Sequence, residues 1–413
     1  KDIIAEVQAT LAARDEELFR QSEKFRELET STSWRITAPL RMIVQISRSI
    51  LPSVKARVEW CRRVLVFARY HYGHGGWPTL RDAIKRRLAW RSRDAERTRF
   101  IVGTDELASP PEGPIVFQES DRPIVSVIIP TYGEHHVTRR CLASLAEQAT
   151  ETAFEVLVVD DAFAEPLNLA SMHVSGAQLI RNTQNLGFLR TCNRAVGEAR
   201  GDYILLLNND TFVHAGAVNA LLESFTHFDN VGAVCAQLRF ADGRLQEAGG
   251  IVWSDGSAWN WGRGEHPKDP KFNYPREVDY GSAAALMVSR KLWEQLGGFD
   301  EDFAPAYYED TDLCFAIRSL GHRVMYQPLA VVTHFEGVSH GTDTGVGIKA
   351  YQVWNKRRFA DKWQQVLSQH RSNGVQPMLE RDRPARARIL WIEARMLTPD
   401  QDSGSLRTIR LLR

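Results

Sequence analysis

The stretch from Tyr203 to Asp210 constrains the fold more than any other part of this sequence. Its five largely apolar residues predict a buried strand, and Asn208, Asn209 and Asp210 follow that strand directly. In an open α/β sheet, ligands bind at the carboxyl ends of the parallel strands. One carboxylate beside two amides suits a divalent cation shared with a substrate diphosphate, with the amides close to sugar hydroxyls. An Asn-Asp turn after a core strand is the alternative interpretation of these eight residues.

Strands and helices alternate along the chain around this stretch. Apolar runs predict strands at residues 125–130 and 154–161, and amphipathic segments predict helices at residues 138–148 and 187–199. This alternation predicts an α/β domain with a mainly parallel sheet and helices on both faces. The predicted strands all end in polar residues, which are Thr131, the pair Asp160-Asp161, and the triplet Asn208-Asn209-Asp210. The sequence therefore predicts one ligand site at one edge of the sheet.

The loop after the first predicted strand excludes several classes of nucleotide-binding protein. It reads Pro130-Thr-Tyr-Gly-Glu134, and neither a Gly-x-Gly-x-x-Gly pattern nor a Walker loop is present there. Both patterns use glycine-rich backbone to hold phosphates, so a dinucleotide-binding Rossmann domain and an ATPase are disfavoured. A nucleotidyltransferase would need a glycine-rich loop with Arg or Lys at this place. A nucleotide ligand here would need a metal ion to neutralise its phosphates.

The first 123 residues predict a separate organisation. Residues 1–33 carry Ile4, Leu11, Leu18 and Phe25 at seven-residue spacing, which predicts either a short coiled coil that makes a homo-oligomer or a helix packed on its own chain. Residues 34–102 form a basic helical region, with 16 Lys/Arg against 4 Asp/Glu between Arg35 and Arg99. Such helices either lie peripherally on an anionic membrane or form a solvated subdomain. The Pro-rich residues 103–123 predict a linker.

Composition limits the compartment and the partners. The five cysteines are scattered singly, which fits a reducing compartment and neither a disulfide framework nor a zinc site. The sequence contains no run of about 18 apolar residues, so it predicts no membrane span. No stacking-aromatic module or groove-reading motif supports nucleic-acid binding. These features predict a cytoplasmic protein, with the basic helices as the part that would touch the inner face of the cytoplasmic membrane.

Seven motifs in a fixed order resemble one known family. They are Val125-Ser-Val-Ile-Ile-Pro-Thr-Tyr132, Val158-Val-Asp-Asp161, Asn185-Leu-Gly-Phe188, Leu207-Asn-Asn-Asp-Thr211, Gly297-Gly-Phe-Asp-Glu301, Tyr308-Glu-Asp-Thr-Asp-Leu313 and Val332-Thr-His334. Together they resemble a family-2 inverting glycosyltransferase with the GT-A fold, of the rhamnosyltransferase-like kind that builds bacterial surface polysaccharides such as O-antigen. The resemblance implies a GT-A domain at residues 124–370, with a mixed, mainly parallel sheet flanked by helices.

The resemblance implies a donor site at the sheet edge. Pro130, Thr131, Asp160 and Asn185 would line the nucleotide pocket, with Asp160 accepting a hydrogen bond from the pyrimidine and Glu134 close by. The triplet 208–210 stands where the family has an Asp-x-Asp motif, but its first residue here is Asn. Two residues depart from the family at the second strand as well, since Ala162-Phe163 replaces the usual Gly-Ser or Asn-Ser.

The same resemblance implies a metal ion and a catalytic base. Asp210 would bind the metal, Asn209 the ribose or the metal's water shell, and His334 the same ion. Carboxylate and imidazole ligands suit Mn²⁺ at least as well as Mg²⁺. Asp310 would be the base, at the start of a helix predicted at residues 313–320. Acids at a helix start also complement the helix dipole, which is the alternative explanation for Glu309 and Asp312.

Tryptophans and glycines mark the predicted acceptor side. Trp253, Trp259 and Trp261 lie in a polar, glycine-containing segment, where aromatic rings would stack on an acceptor sugar. A β-hairpin packed on the core is the equal alternative, and Glu309 is a further candidate for contact with the acceptor. The glycine-rich residues 337–347 predict either a flap over the donor or a plain surface loop.

The C-terminal part predicts another amphipathic helix at residues 349–369 and then a second linker at residues 371–386. Residues 387–413 begin with a predicted strand at 387–393 and resemble the opening of a GT-B glycosyltransferase domain, in which Gly404-Ser405 would precede the first helix. We therefore expect the chain to be part of a longer protein with a second, truncated transferase domain.

Two functions of different classes follow from the sequence. The first is a metal-dependent inverting glycosyltransferase that moves a sugar, with L-rhamnose the first candidate, from a nucleoside-diphosphate donor to a growing or lipid-linked glycan. The second is a non-catalytic glycan-binding or scaffolding domain of a polysaccharide synthase. Retention of Asp210, Asp310 and His334 together favours the enzyme, since a binding domain has no need of all three.

Overall fold

The computed structural model describes residues 113–148, 152–335, 351–385, 397 and 401–412 of the 413-residue chain. The predicted N-terminal coiled coil, the basic helical region, the glycine-rich flap at 337–347 and the strand at 387–393 lie outside these ranges. Within the described ranges, no helix combines the length and the apolar content needed to cross a membrane.

The described strands are short to medium in length and are numbered in chain order. They are β1 (Ile115–Val116), β2 (Val125–Thr131), β3 (Phe154–Asp160), β4 (Val174–Ser175), β5 (Gln178–Arg181), β6 (Tyr203–Leu207), β7 (Thr211–Val213), β8 (Val231–Arg239), β9 (Leu245–Glu247), β10 (Gly250–Val252), β11 (Ala258–Asn260), β12 (Arg276–Glu277), β13 (Ala285–Ser289) and β14 (Arg323–His334).

The described helices alternate with the strands in the first half and cluster near the C-terminus. They are α1 (His135–Ala146), α2 (Gly187–Val196), α3 (Ala217–His227), α4 (Arg290–Leu296), α5 (Glu309–Ser319), α6 (Tyr351–Lys362), α7 (Gln364–Leu367), α8 (Pro377–Arg381) and α9 (Ser403–Leu412), with 3₁₀ turns at Pro270–Phe272 and Glu301–Phe303.

A ten-stranded mixed sheet organises the described part of the chain. Its main path runs β12-β14-β8-β13-β6-β2-β3-β5, with β7 paired to β14 and β9 to β8. Strands β6, β2, β3 and β5 are parallel to one another, and β13 is antiparallel to both β6 and β8. The predicted mixed sheet flanked by helices is confirmed, with these parallel strands in the first half of the domain; among the described strands of the whole sheet, four pairings are parallel and five are antiparallel. Because β13 is reversed, the residues before Ala285 reach the edge at which β2, β3 and β6 end.

Both faces of this sheet are buried, which explains the continuous apolar runs in its strands. Alternate residues of one strand belong to different cores: Ile128 packs in one apolar cluster, and Val127 and Ile129 pack in the other. Helix α2 contributes to the first cluster through Leu189 and Cys192, and helices α1 and α3 contribute to the second. The buried cysteines 141, 192, 235 and 314 are free thiols, as the scattered spacing predicts.

Several observed helix boundaries differ from the predicted ones by a few residues. Helix α1 begins three residues earlier than predicted, after Glu134 in a left-handed conformation with φ of 49°, and α2 ends at Val196. The base-bearing helix begins at Glu309 and not at 313, so the acids occupy its first turn. The predicted helix 349–369 is divided into α6 and α7. Gly404-Ser405 lie inside the first turn of α9 and do not precede it.

Two segments predicted as linkers are packed in the structure. Strand β1 lies within the predicted linker 103–123 and pairs in parallel with β4, and Phe117 beside it is 5% exposed. Helix α8 lies within the predicted linker 371–386. There Glu380 is 1% exposed because Arg371 and Arg383 bind its carboxylate. The charged residues of this segment predicted a linker, but here the Glu380 carboxylate is buried and paired with two arginines.

Candidate active site

The strand ends predicted to share a site do meet. Nδ2 of Asn209 donates hydrogen bonds to Oγ1 of Thr131 at 3.3 Å and to Oγ1 of Thr138 at 3.1 Å. The two hydroxyls are 3.0 Å apart, and all three side chains are buried. The amide nitrogen that the sequence placed at a ribose or a metal-bound water is therefore occupied by the protein. Asn209 joins the ends of β2 and β6 and helix α1.

Asp210 and His334 lie together beside this network. Oδ1 of Asp210 is 3.1 Å from Nε2 of His334, and Nδ2 of Asn208 lies 3.3 Å from the same ring nitrogen. The contact arises because β7, which starts one residue after Asp210, pairs with the end of β14. On its other side the ring faces Oε1 of Gln246, 3.1 Å from Nδ1. A proton on Nδ1 would donate to that oxygen, and in this tautomer the Nε2 lone pair would be available to a cation beside Asp210.

This donor pair fits a divalent cation. Two neighbouring ligands, each about 2.1 Å from an octahedral ion, are about 3.0 Å apart, close to the distance between Oδ1 of Asp210 and Nε2 of His334. Gln246 supplies the outer hydrogen bond that metal-binding imidazoles usually make. Among the described residues no group of three or more His, Cys, Asp and Glu side chains could hold a metal by itself. A cation bound here would need further oxygen ligands from a substrate diphosphate or water.

Asp310 lies at the start of α5 and is held by three donors. Oδ1 accepts from the backbone N–H of Thr311 at 2.7 Å and from its hydroxyl at 3.2 Å, and Oδ2 accepts from the N–H of Ala283 at 3.1 Å. Unlike its neighbour Glu309, Asp310 remains partly exposed. Burial raises its pKa above the ordinary aspartate value, although these hydrogen bonds act in the opposite direction. The result is a fixed carboxylate with increased basicity.

Residues 282–284, which precede β13, connect Asp310, the predicted base, to Asn208 beside the predicted metal ligands. The N–H of Ala283 donates to Asp310, and the next carbonyl, that of Ala284, accepts from the N–H of Asn208 at 3.1 Å. The N–H of Ser282 donates to Oε1 of Glu247 at 3.0 Å. Hereafter these three residues are called the 282–284 segment. It links Asp310 to Asn208 through two consecutive residues, Ala283 and Ala284.

Helix α6 holds the loop that leads into the base helix. Nδ2 of the buried Asn355 donates to the carbonyls of Phe303, Ala306 and Tyr307 at 2.7, 3.0 and 2.9 Å. Tyr307 and Tyr308 follow with φ of 75° and 72°, a conformation that few non-glycine residues adopt.

A second pair of contacts fixes the helix itself. The Lys362 ammonium at 2.8 Å and the Trp363 indole N–H at 2.7 Å both contact the Asp312 carboxylate. Asp312 is thus bound by α6 and its extension, and Asp310 is left on the side of the 282–284 segment.

Comparison with known proteins agrees with this arrangement. Residues 126–296 match the model of glycosyl transferase family 2, a range that includes the triplet 208–210, Glu247 and the 282–284 segment. By this match, residues 126–296 resemble a family-2 glycosyltransferase domain. Asp310 and His334 lie beyond the matched residues, but the contacts with Ala283, Asn208 and Asp210 bring both to the same site.

Three curated proteins illustrate the range of relatives of this glycosyltransferase domain. An uncharacterized protein, y4gI, of Sinorhizobium fredii is 28% identical over 53% of this chain and 25% of its own length. The O-antigen biosynthesis protein RfbC of Myxococcus xanthus is 29% identical over 56% of this chain and 19% of its own length. An N-acetylglucosaminyl-diphospho-decaprenol L-rhamnosyltransferase of Mycobacterium tuberculosis is 26% identical over 58% and 85%. The match thus spans a quarter or less of the first two relatives.

The nucleotide side of the glycosyltransferase domain differs in detail from the expectation. Asp160 is 1% exposed, and its carboxylate accepts from the N–H groups of Phe163 and Leu167, each at 3.1 Å, and from Arg181. These contacts shape the loop after β3, so contact between Asp160 and a pyrimidine stays a prediction. The departure at 162–163 has a visible consequence: Ala162 adopts φ of 59°, and the Phe163 ring packs edge-on against Tyr132 at 5.1 Å.

Asp161, to which the sequence assigned no specific role, organises the Asn185 loop. Its Oδ1 accepts from the N–H of Leu186 at 2.8 Å and from Asn182 at 2.7 Å, and Oδ2 accepts from the N–H of Gly187 at 2.9 Å. Asn185 itself is exposed, and its side-chain oxygen accepts from Gly187 at 3.1 Å. A carboxylate with three such donors fixes the start of α2 next to the strand ends. The sequence signal that could have identified this role is the pair of acids, Asp160 and Asp161, at the end of a predicted strand.

The remaining residues of the predicted pocket lie at the C-terminal end of β2 or just after it. Pro130 is partly exposed near the end of β2, where it stands opposite Val159 of β3. Glu134 is exposed and caps α1 through its backbone, with its carboxylate 3.6 Å from His136. Its place beside the nucleotide pocket and its contact with a nucleotide both stay predictions.

The tryptophan segment is the hairpin that the alternative interpretation predicts. Strands β10 and β11 are antiparallel, with Ile251 opposite Trp259. Trp253 is 0% exposed and packs edge-on against Trp259 at 4.9 Å, so it has no free face for a sugar, and the predicted acceptor contact of Trp253 does not fit. Trp259 is 41% exposed, and Trp261 is partly buried. Acceptor stacking therefore stays a prediction for these two rings.

Burial also argues against the predicted acceptor contact of Glu309. Its side chain lies in the interior with the residue 6% exposed, and Oε2 has no hydrogen-bond partner among the described residues. Burial raises its pKa well above the ordinary glutamate value, and the nearby Asp310 charge adds to that effect. Glu309 therefore favours the neutral form behind the base.

Proposed function

We propose that this chain is a metal-dependent inverting glycosyltransferase that moves a sugar from a nucleoside-diphosphate donor to a growing or lipid-linked bacterial glycan. One observation carries the proposal. In the 282–284 segment Ala283 binds the Asp310 carboxylate and Ala284 binds Asn208, and Asp210 and His334 beside Asn208 form a pair that would bind a cation. A base on one side and a cation pair on the other are the two parts that displacement at an anomeric carbon requires.

Asp310 performs the proton transfer in this proposal. The acceptor hydroxyl oxygen attacks the anomeric carbon, the new C–O bond forms, and the bond from that carbon to the diphosphate oxygen breaks with its electron pair. The hydroxyl proton passes to the Asp310 carboxylate. The hydrogen bonds from Ala283 and Thr311 keep the carboxylate oriented, and its raised pKa makes it a better base near neutral pH.

Asp210 and His334 would hold the cation, Mn²⁺ or Mg²⁺. When bound, such an ion neutralises the charge on the leaving diphosphate. Gln246 and Asn208 orient the His334 ring through its two nitrogens, so the pair is prepared before the donor arrives. The Asn209–Thr131–Thr138 network fixes the strand ends under the donor.

The relatives guide the choice of donor. One of them is named as an L-rhamnosyltransferase that acts on a lipid diphosphate, and another as an O-antigen biosynthesis protein. We therefore propose dTDP-L-rhamnose as the first donor to test and a polyprenyl-diphosphate-linked sugar as the first acceptor. Donors of this kind and acceptors of this kind meet at the cytoplasmic face of the membrane, which is where we place the reaction.

The test is a binding and transfer screen on the full 413-residue chain. Binding of dTDP-, UDP- and GDP-sugars is measured by calorimetry with Mn²⁺, with Mg²⁺ and with EDTA, and transfer is measured with a lipid-linked acceptor. We expect one donor to bind only with metal. Asp210→Ala and His334→Ala should abolish that binding, whereas Asp310→Asn should leave binding intact and reduce kcat by about 100-fold or more.

The matched controls are an exposed acid and an exposed histidine away from the site. Glu301→Gln and His227→Ala should retain wild-type binding and kcat. If no nucleotide sugar binds with either metal, the enzyme proposal is refuted, and the non-catalytic glycan-binding or scaffolding function becomes the better explanation. Transfer that survives Asp310→Asn would refute the assignment of the base alone.

A further inference from the structure

Glu247, at the end of β9, is a fully buried acid in the middle of the candidate site. The residue is 0% exposed, and Oε1 accepts the N–H of Ser282 at 3.0 Å. Within the described ranges, Oε2 has no hydrogen-bond partner. An acid so placed is costly to the folded state, since burial of an unpaired carboxyl oxygen loses its hydration. Glu247 therefore needs an explanation beyond packing.

The backbone amide that Glu247 binds leads directly to the base. Ser282 donates to Glu247, and the next residue, Ala283, donates to Oδ2 of Asp310. Two successive N–H groups therefore hold two carboxyl groups, one from β9 and one from α5. The carbonyl of the third residue, Ala284, accepts from Asn208. Glu247 is the side chain that fixes the start of the 282–284 segment.

The neighbouring residue links β9 to the metal side. Oε1 of Gln246 lies 3.1 Å from Nδ1 of His334. Consecutive residues of one short strand thus contact the metal-side histidine and the segment that holds the base. Strand β9 itself is fixed in the sheet by antiparallel pairing with β8.

The electrostatics agree with this geometry. Burial raises the pKa of Glu247 from 4.5 to about 8, and the Asp310 charge adds to the effect, whereas the Ser282 hydrogen bond lowers it. The charged and titratable groups that act on Glu247 or feel it are Asp310, Arg263, Arg276, Tyr280, Cys235 and Cys314. The two acids titrate as a pair, and burial together with the Asp310 charge favours the neutral form of Glu247 at neutral pH.

We propose that Glu247 is a positioning residue for the Asp310 base, acting through the successive amides of Ser282 and Ala283. The inference rests on the proposed function, because it assigns Asp310 to the proton transfer. Glu247 itself does not touch the acceptor, since it has no exposed surface. Glu247 determines the position and the proton affinity of Asp310, the group that contacts the acceptor.

Two substitutions separate the effect of Glu247 on the position of Asp310 from its electrostatic effect on Asp310. Glu247→Gln keeps an acceptor oxygen for the Ser282 N–H but cannot ionise. Glu247→Ala removes the acceptor and leaves that N–H without its partner. We expect Glu247→Gln to retain kcat within about threefold at pH 7 and Glu247→Ala to lose about 10- to 100-fold, as a displaced catalytic group does. The donor KM should be unchanged in both.

The decisive measurement is a double-mutant cycle with Asp310→Asn. If Glu247 acts through Asp310, Glu247→Ala should reduce the residual kcat of the Asp310→Asn enzyme by less than about twofold, because the base is already lost. A merely structural role would reduce kcat equally in both backgrounds. In addition, the pH profile of kcat/KM for the acceptor should show an inflection near pH 8 in the wild type that Glu247→Gln removes.

Glu155→Gln is the matched control. Glu155 is also a buried acid on a strand of the sheet, but it binds Ser126 and Arg200 near the opposite strand ends. It should leave the pH profile unchanged. Equal losses in both backgrounds, or an inflection near pH 8 that persists in Glu247→Gln, would overturn the inference while wild-type transfer stands. No transfer by the wild-type chain with any donor would refute the proposed function and this inference with it.

Discussion

Replacement of Glu247 by Gln should change how the stability of the protein depends on pH. The folded state holds a proton on Glu247 up to about pH 8, whereas the unfolded chain releases it near 4.5. Between these values the folded state binds about one proton more, so the free energy of unfolding falls as pH rises. The stabilising contribution is fully present below about pH 4.5 and is lost as pH rises through 8. Gln at this position binds no proton in either state.

The size of the effect follows from the shift. Each pKa unit corresponds to about 1.4 kcal/mol, so the full shift corresponds to about 5 kcal/mol across the whole window. Between pH 5.5 and pH 7.5 the wild type should lose about 3 kcal/mol relative to Glu247→Gln. For a domain of this size, 1 kcal/mol moves the unfolding midpoint by about 2–4 °C. The difference in Tm between the two proteins should therefore widen by about 5–10 °C.

The assay is thermal unfolding of both proteins, followed by tryptophan fluorescence at half-unit steps from pH 5.5 to 8. Groups shared by the two proteins, including Asp310 and Glu309, contribute to both curves and cancel to first order in the difference. The predicted result is a Tm of Glu247→Gln that rises relative to the wild type as pH increases. A difference that stays constant or shrinks with pH would show that Glu247 is ionised in the folded state, and the reasoning from burial would be wrong.

Four further substitutions test other parts of the site. Asn355→Ala removes the amide that binds three carbonyls before α5. We therefore expect Tm to fall by several degrees and kcat to fall, with donor binding unchanged. A wild-type kcat would contradict this expectation. Asp161→Asn leaves one acceptor oxygen for donors that now use two, and we expect the donor KM to rise about tenfold with kcat retained; a change in kcat alone would contradict it. Trp259→Ala should raise only the acceptor KM, whereas Trp253→Phe should affect only stability, and equal effects of the two on KM would refute acceptor stacking at Trp259.

The sequence predicted those parts of the fold that have a local signal. The strands at β2, β3 and β6 are continuous apolar runs that end in polar residues, and their order in the chain was sufficient to predict a parallel sheet with one binding edge. Helix starts were less accurate because backbone conformation decided them. Glu134 begins α1 in a left-handed conformation, and Tyr308 does the same before α5. Such conformations are unusual for these residue types and leave no pattern in a sequence.

The same reasoning could not predict the long-range contacts in the site. Motif order brought Asp210, His334 and Asp310 into one hypothesis, but nothing in the residues near Glu247 separates it from an exposed glutamate of a short strand. Its burial follows from pairing between β9 and β8 and from the approach of residues 282–284, which are 35 positions away. The tryptophans show the opposite error: their composition suggested a sugar-binding surface, but register in the hairpin placed Trp253 in the core.

The arrangement of carboxyl groups around the base has a consequence for the chemistry. Glu247, Glu309 and Asp310 are close enough for the Asp310 charge to raise the pKa of both glutamates. Burial favours the neutral form of Glu247 and Glu309, whereas Asp310 is partly exposed. A negative charge in this cluster is therefore least opposed on Asp310, the one of the three acids that an acceptor can approach. Two neutral neighbours also leave the diphosphate side without extra repulsion, which a cluster of three ionised acids would impose on an anionic donor.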